Sequence, residues 1–287
     1  MKLTVFTPTY NRAYILGKLY ESLCRQTAGD FEWIVVDDGS TDGTEALVRG
    51  WASSAAFPLR YVRQANGGKH RAINRGVREA RGELFFIVDS DDYLADNAVE
   101  RVLSQYDTVR GREDFAGVCG MKVYPDGHRV GGDAQFSELE CTLLEFRDKY
   151  RVLGDLAEVY RTDVMRQFPF PEIQGEKFCP EILVWTRIAM KYKLRFFNEP
   201  IYICDYLPDG LTQNSLRHRV KSPGSCMLAY EAVYLSPRRW KRKYSCAISY
   251  WCFYFLGGKR LNHKGRVPWL FALPGWLLAQ RRKKYVQ

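Results

Sequence analysis

The sequence predicts an α/β protein built on a doubly wound, mostly parallel sheet with helices on both faces, followed by a helical, basic C-terminal extension. Three observations predict it. Strand-like and helix-like stretches alternate at short spacing four times between Lys2 and Leu94, the pattern of successive strand–helix–strand units. The apolar runs there are continuous rather than alternating, LFFIV at 84–88 above all, which suits strands covered on both faces. Four polar turns, TYNR, DDGS, NGGKHR and DSDD, mostly follow the strands. They gather on one sheet edge, where ligands bind in open α/β folds.

Lys2 to Thr7 reads as the first strand, ended by Pro8, with Thr9-Tyr10-Asn11-Arg12 as a polar turn before a helical pattern over 13–26. Phe31 to Val36 is a second strand ending in Asp37-Asp38-Gly39-Ser40. Thr41-Asp42-Gly43-Thr44 then supplies N-cap residues for a helix to about Trp51. Leu59 to Arg63 is a third strand, and Asn66 to Arg71 a glycine turn opening a helix to about Ala80. A fourth strand starts at Leu84, and a helix follows over 95–106. Beyond it the pattern is irregular: strands are expected at 116–123 and 156–160, a glycine-rich turn at 125–132, and a loop around Glu176 and Lys177. An amphipathic helix is expected from Pro180 to Tyr192, short strands at 194–197 and 201–206, and a loop at 208–214.

The stretch LFFIVDSDDYL, 84–94, runs five apolar residues straight into Asp89, Ser90, Asp91 and Asp92. Carboxylates this close repel one another and lose solvation where a strand leaves a sheet, a cost that a cation among them relieves. An Asp-x-Asp set suits Mg2+ or Mn2+, completed by water and phosphate oxygens, better than zinc, which takes His and Cys. For a lone Asp-x-Asp the alternative is a solvated turn capping the next helix; the strand before it and the matching turns elsewhere favour the cation. Paired acids, a glycine turn carrying Lys and Arg, and a metal site together suit a nucleoside diphosphate, with carboxylates for base or ribose and cations for the pyrophosphate. The sequence has no GxGxxG after the first strand, no GxxxxGK[ST], no GxSxG and no HExxH. Dehydrogenase, P-loop, serine hydrolase and zinc peptidase readings are weakened accordingly.

FTPTYNR, IVVDDGSTDGT, NGGKHRAINRG and FFIVDSDDYL, in that order, resemble the family 2 inverting glycosyltransferases, whose fold is GT-A, a Rossmann-like sheet of the kind predicted above. The resemblance is dense over 2–94 and looser to about Asn214. It implies that Pro8, Thr9, Tyr10 and Asp38 line the nucleotide base with Asp37 beside them, and that Asn11 and Arg12 belong to the same donor-binding turn. It implies that Asp89 and Asp91, flanking Ser90, form the DxD that meets the donor ribose and the metal, Asp91 being the better ligand and Asp92 a further candidate. Lys69, where many relatives carry a small residue, departs from the commonest pattern; Lys69 and His70 are expected at the donor phosphates, the alternative being a solvated helix start. Relatives place the catalytic base in a Glu-Asp pair six residues ahead of an Arg. Here Glu181 takes the Asp position ahead of Arg187, and Pro180 replaces the first acid. Glu176 is the reserve, and for either carboxylate the alternative role is stabilising a helix start. Processive relatives show QxxRW; the nearest stretch, QNSLR at 213–217, lacks the Trp, so one sugar is expected to be added rather than a polymer.

The function the resemblance implies is inverting, Mn2+- or Mg2+-dependent transfer of a sugar from a nucleotide donor, foremost a UDP-sugar, to a hydroxyl of a glycan or lipid-linked acceptor. A sugar nucleotidyltransferase and a non-catalytic nucleotide-binding module are the alternatives. The expected division is a GT-A domain over 1–215, with a nucleotide-binding half 1–106 and an acceptor half 107–215, and an extension over 216–287.

That extension stands apart in charge. From Ser215 to Gln287 there are sixteen Lys and Arg against one acid, Glu231, while the preceding 214 residues hold 27 bases and 32 acids. Two uncharged stretches, 244–258 and 267–280, are rich in Trp, Tyr and Phe. As a helix the first would span ~22 Å, short of the roughly 30 Å hydrocarbon core; the second is interrupted by Pro268, Pro274 and Gly275. Both are expected to lie at an anionic membrane surface rather than cross it, the alternative being an ordinary core helix. Basic and aromatic residues without a recognisable nucleic-acid motif do not point to nucleic acid. Met1 to Thr7 passes into TYNR without an apolar signal-peptide core. The eight scattered cysteines read as free thiols of a reducing compartment. The expected location is cytoplasmic, peripheral on the inner face of the membrane, as in surface polysaccharide assembly.

Overall fold

The computed structural model describes residues 1–132, 135–150, 154–204 and 215–285; the expected loop at 208–214 lies outside them. The chain forms two compact units. The first takes in Met1–Asn66, Ala72–Phe168 and the chain from Lys191 through the last strand; the second takes in Gly67–Arg71, Pro169–Met190 and the helical C-terminal region. These units do not coincide with the segments 1–215 and 216–287.

The first unit alternates as its sequence predicts: β1 (Leu3–Thr9), α1 (Gly17–Cys24), β2 (Phe31–Asp37), α2 (Thr44–Ala52), β3 (Leu59–Arg63), α3 (Lys69–Glu79, its first turn grouped with the second unit) and β4 (Leu84–Ile87). β5 (Tyr93–Leu94), α4 (Ala98–Asp107), β6 (Phe115–Val123), β7 (Glu138–Cys141), α5 (Leu143–Lys149), β8 (Leu156–Arg161) and α6 (Thr162–Gln167) follow. After α7 (Ile182–Ala189) of the second unit comes β9 (Lys193–Ile203). One nine-stranded sheet runs β3-β2-β1-β4-β8-β6-β9-β5, with β7 on β9. The β3-β2-β1-β4 half is wholly parallel, and β8 then runs antiparallel to both β4 and β6.

Every residue of β1 and β2 is buried, the polar Thr4, Thr7, Glu32 and Asp37 included. β1 nevertheless contains Pro8. The Phe6 carbonyl accepts from Val88 N–H on the β4 side, so alternate residues face β4, and pairing with β4 ends at Phe6–Ile87. Pro8 therefore has no ladder partner to lose, and an opening lies beyond the carboxyl end of β4. The expected strands at 194–197 and 201–206 are, over the described residues, one strand, β9, which ends at Ile203; 205 and 206 lie outside the described residues. Pro200 stands opposite Met121 at a shift of register; a residue without an N–H is tolerated at such a bulge, and in sequence it reads as a break.

The second unit holds α7, α8 (Ser215–Lys221), α9 (Pro223–Leu235), α10 (Trp240–Leu256) and α11 (Ala272–Arg282). Cys226, Met227, Ala247, Tyr250 and Phe253 form its core with Val220 and Val267, and Tyr230 stacks on Phe253 at 5.6 Å. The stretch 244–258, expected at a membrane surface, thus supplies part of this core through Ala247, Tyr250 and Phe253, while Tyr244 at its start is exposed.

Candidate functional site

The strand order reverses between β1 and β4, and at the carboxyl ends of β1 and β2 two polar turns are locked together. Asp38 N–H donates to the Thr9 carbonyl (2.8 Å), and Asn11, with φ of 53°, donates its N–H to Ser40 Oγ (2.8 Å) and accepts from Thr41 N–H at Oδ1 (2.8 Å). Asp37 is fully buried, and both its oxygens are engaged: Oδ1 accepts from Ser40 N–H (2.7 Å) and Oδ2 from Tyr61 hydroxyl (2.5 Å). Burial, then the neighbouring Asp37, pushes the Tyr61 phenol well above its ordinary range. Asp38 Oδ1 accepts from Gln64 Nε2 (2.8 Å), and its carbonyl from Asn66 Nδ2 (3.0 Å). Pro8 and Thr9 are buried and Tyr10 is half exposed, while Thr9 Oγ1 is buried without a hydrogen-bond partner. Arg12 Nη1 bonds the Tyr14 hydroxyl. A buried acceptor pair beside an exposed aromatic ring makes a surface shaped for a planar polar ligand.

The turn after β4 is different. Asp92 N–H donates to the Asp89 carbonyl (3.2 Å), closing 89–92 on itself. Asp89 N–H donates to the Tyr202 hydroxyl oxygen (3.0 Å), whose own proton goes to Asp92 Oδ2 (2.6 Å), and Lys122 Nζ stands 3.8 Å from the Tyr202 ring centroid. Asp92 is buried. Its carboxyl is pushed up to about 7, first by burial and then by repulsion from Asp89, against the pull of Lys122 and Tyr202. Ser90 is buried, and Asp89 and Asp91 are half buried. Among the described residues no preassembled group of three His, Cys, Asp or Glu could hold a metal. A cation taken up by Asp89 and Asp91 would have to complete its shell from water and phosphate oxygens, which Mg2+ and Mn2+ accept. Asp92, tied to Tyr202, is the poorest ligand of the three.

In the second unit the glycine turn docks on the loop before α7. Gly68 has φ of +97°, and a Cβ there would stand 1.9 Å from the Lys177 carbonyl oxygen, so only glycine serves. Arg71 donates to the Ile173 carbonyl (2.9 Å). Lys69 Nζ lies 2.8 Å from Glu181 Oε1, and His70 is buried. Of the two candidate bases, Glu176 is buried and accepts from Gly224 N–H (2.7 Å), Ser225 N–H (2.8 Å) and Ser225 Oγ (2.6 Å). It holds the start of α9. Glu181, at the start of α7, is about a third exposed and ion-paired to Lys69.

Sequence reasoning missed Gln64, Asn66 and Tyr61, which hold the two acids of the DDGS turn. Their position at and after β3 was a usable signal. It also missed Lys122 and Tyr202, which set the charge of the DSDD turn from strands 30 and 110 residues away, and no local pattern announces those.

An acid-lined edge at the switch point of a parallel sheet defines a nucleotide-binding class of α/β protein. Residues 4–151 match the family model of glycosyl transferase family 2, and the chain belongs to that family. It is 32% identical over 193 residues to an uncharacterised glycosyltransferase, alr2836, of Nostoc sp., covering 64% of this chain and 59% of that protein. It is 30% identical over 178 residues to the poly(ribitol-phosphate) beta-N-acetylglucosaminyltransferase TarS of Staphylococcus aureus, covering 60% of this chain but 30% of TarS. The chain thus spans less than two thirds of the length of these relatives. By fold it is similar to the crystal structure of TarS 1–349 in complex with UDP-GlcNAc, with a TM-score of 0.67 at 21% identity over 100% of this chain and 82% of that one. It is similar also to the mannosyltransferase PcManGT of Pyrobaculum calidifontis in complex with GDP-Man and Mn2+, with a TM-score of 0.57 at 19% identity over 99% and 85%. These neighbours are GT-A glycosyltransferases, and the α/β sheet of this chain is of that fold.

Proposed function

We propose that this protein transfers a single sugar, with inversion, from a nucleotide-sugar donor, a UDP-sugar foremost, to a hydroxyl of a glycan or lipid-linked acceptor in surface polysaccharide assembly. The observation that carries the reading is the pairing of a rigid, buried acidic turn (Asp37, Asp38) with a half-buried one (Asp89, Asp91) at the carboxyl edge of a parallel sheet. In this reading Thr9, Tyr10 and Asp38 receive the base and ribose. Asp91, with Asp89, holds Mg2+ or Mn2+, which neutralises the departing diphosphate when bound. Glu181 takes the proton of the acceptor hydroxyl as its oxygen attacks the anomeric carbon and the bond to the diphosphate breaks. The nucleotide-bound TarS and the Mn2+-bound PcManGT support the donor class and the metal. We further propose that the C-terminal region keeps the enzyme at the cytoplasmic face of the membrane.

A panel of nucleotide sugars, with EDTA and Mn2+ controls and a candidate acceptor, separates the readings. Metal-dependent release of a nucleoside diphosphate is expected; consumption of a triphosphate with release of pyrophosphate would mark a nucleotidyltransferase instead. Glu181→Gln is expected to lower kcat on the order of 10²–10⁴-fold with donor binding little changed. Glu176→Gln is expected to lower the melting temperature, since three buried donors lose a charged acceptor at roughly 1–3 kcal/mol. The base assignment fails if Glu181→Gln turns over like wild type.

A further inference from the structure

The second unit presents an apolar face that its own packing leaves outside. α11 turns small residues onto α10: a Cβ at Gly275 would stand 2.4 Å from Trp251 Cβ and 3.0 Å from the backbone of Ile248 and Cys252, and Ala279 is fully buried. That contact fixes the roll of α11. Pro274 sits in its first turn, where no helical N–H is required. On the other side, Trp269, Leu270, Leu273, Trp276 and Leu277 recur at steps of three and four and are 80%, 64%, 67%, 43% and 53% exposed. α10 buries Tyr250 and Phe253 but leaves Trp240 and Tyr244 exposed at its start; α11 and the turn before it bury Gly275 and Ala279 and display their large apolar residues.

Charge says what could cover this face. Exposed Lys264 and Arg266 precede it, exposed Arg281 and Lys283 follow it, and no acid occurs after Glu231. Glu231 is buried and already accepts from Arg266 N–H (2.6 Å) and pairs with His263 Nε2 (2.5 Å). An apolar strip bordered by uncompensated cations meets its complement in an anionic lipid surface, whereas a second copy of the chain would bring the same positive rim against it. Trp favours the headgroup level of a bilayer, and Leu the acyl boundary just below. No described helix is long and apolar enough to cross a membrane, and α11, at about 16 Å, fits a helix lying in the surface plane.

We propose that Trp269, Leu270, Leu273, Trp276 and Leu277 form the membrane-contacting face of this protein, inserting shallowly into an anionic phospholipid surface with Lys264, Arg266, Arg281 and Lys283 on the headgroups. This deepens the membrane reading above, on which it rests, and narrows the contact from the two stretches 244–258 and 267–280 to 269–277.

The test is flotation of the whole chain with phosphatidylcholine vesicles made with or without phosphatidylglycerol. Wild type floats with the anionic vesicles, less so as salt screens the cations. The variant Trp269→Ser/Leu273→Ser/Trp276→Ser/Leu277→Ser keeps its melting temperature, because these side chains are exposed, and loses about tenfold or more of the partitioning. Arg281→Gln/Lys283→Gln loses less and becomes less salt-sensitive. If the chain floats but the four-site variant floats equally well, this face is not the contact and only the assignment to 269–277 falls. If wild type binds no vesicle, the wider membrane reading falls with it. A wild-type dimer in light scattering that the variant abolishes would make the face a copy–copy interface and overturn the proposal. Diphosphate release, measured in detergent-free solution, reports separately on the transfer reaction.

Discussion

Two acidic turns sit at the carboxyl edge of the same sheet, and they are settled by opposite means. In the DDGS turn every acceptor that folding buries is met by a protein donor: Ser40 and Tyr61 on Asp37, Gln64 on Asp38. In the DSDD turn three carboxylates lie within four residues, and Asp92 is held up to about 7 by burial and by its acidic neighbours. The first turn is a finished shape, ready for a neutral ring. The second gathers three carboxylates beside Lys122 and Tyr202, with Asp92 held up by burial and by Asp89. In the function proposed above, the shaped turn would receive the nucleotide and the charged turn its metal.

The largest expected effect comes from the charged turn. Asp91→Asn is expected to lower kcat/KM on the order of 10²–10³-fold, while the melting temperature without metal does not fall, since the substitution removes a repelling charge from beside Asp92. A comparable loss of stability would mean that Asp91 is part of the scaffold and erase the contrast between the turns.

In the shaped turn the effects reverse. Tyr61→Phe leaves one Asp37 oxygen without its donor, costing roughly 1–2 kcal/mol of stability, and is expected to weaken nucleotide binding a few-fold with no change in its metal dependence. Thermal unfolding and nucleotide titration in the presence and absence of Mn2+ check both halves.

A substitution outside both turns isolates burial from repulsion. Glu158, on β8, is also pushed to about 7, chiefly by burial, with Arg147 and Lys122 pulling it down. A carboxyl raised in the folded state binds its proton more tightly there than in the unfolded chain. Its contribution is complete below about pH 4.5 and is lost as pH rises through about 7. Glu158→Gln should therefore gain on wild type with rising pH, by on the order of 2 kcal/mol between pH 4 and 8, in urea unfolding at the two pH values. A pH-independent difference would show that Arg147 compensates the buried charge in full.

The contrast between the turns also explains what the sequence could reveal. Apolar-rich runs ending in polar turns made β1 to β4 legible almost to the residue; β1, β2 and most of β4 are buried, while β3, at the sheet edge, is half-buried. β5, β7, α5 and α6 were not read, being short elements whose formation depends on tertiary partners: β7 exists through pairing with β9, and β5 is two residues on the same strand. The acids of both turns were legible as acids. That Asp37 is locked and Asp92 is raised was not, because Tyr61, Lys122 and Tyr202 arrive from other strands. The same holds at the C-terminal end. The stretches 244–258 and 267–280 are alike in composition, and only the seam at Gly275 and Ala279 decides which faces outward.

The measurement closest to the central claim is calorimetric titration of UDP into wild type and Asp91→Asn, each with and without Mn2+. Mn2+ is expected to tighten UDP binding by wild type at least about tenfold, since Asp89 and Asp91 would hold the ion and it would supply positive charge for the diphosphate, and to leave Asp91→Asn where it stands without metal. Equal affinity of wild type with Mn2+ and with EDTA would contradict the account, since the charged turn would then have no cation to wait for.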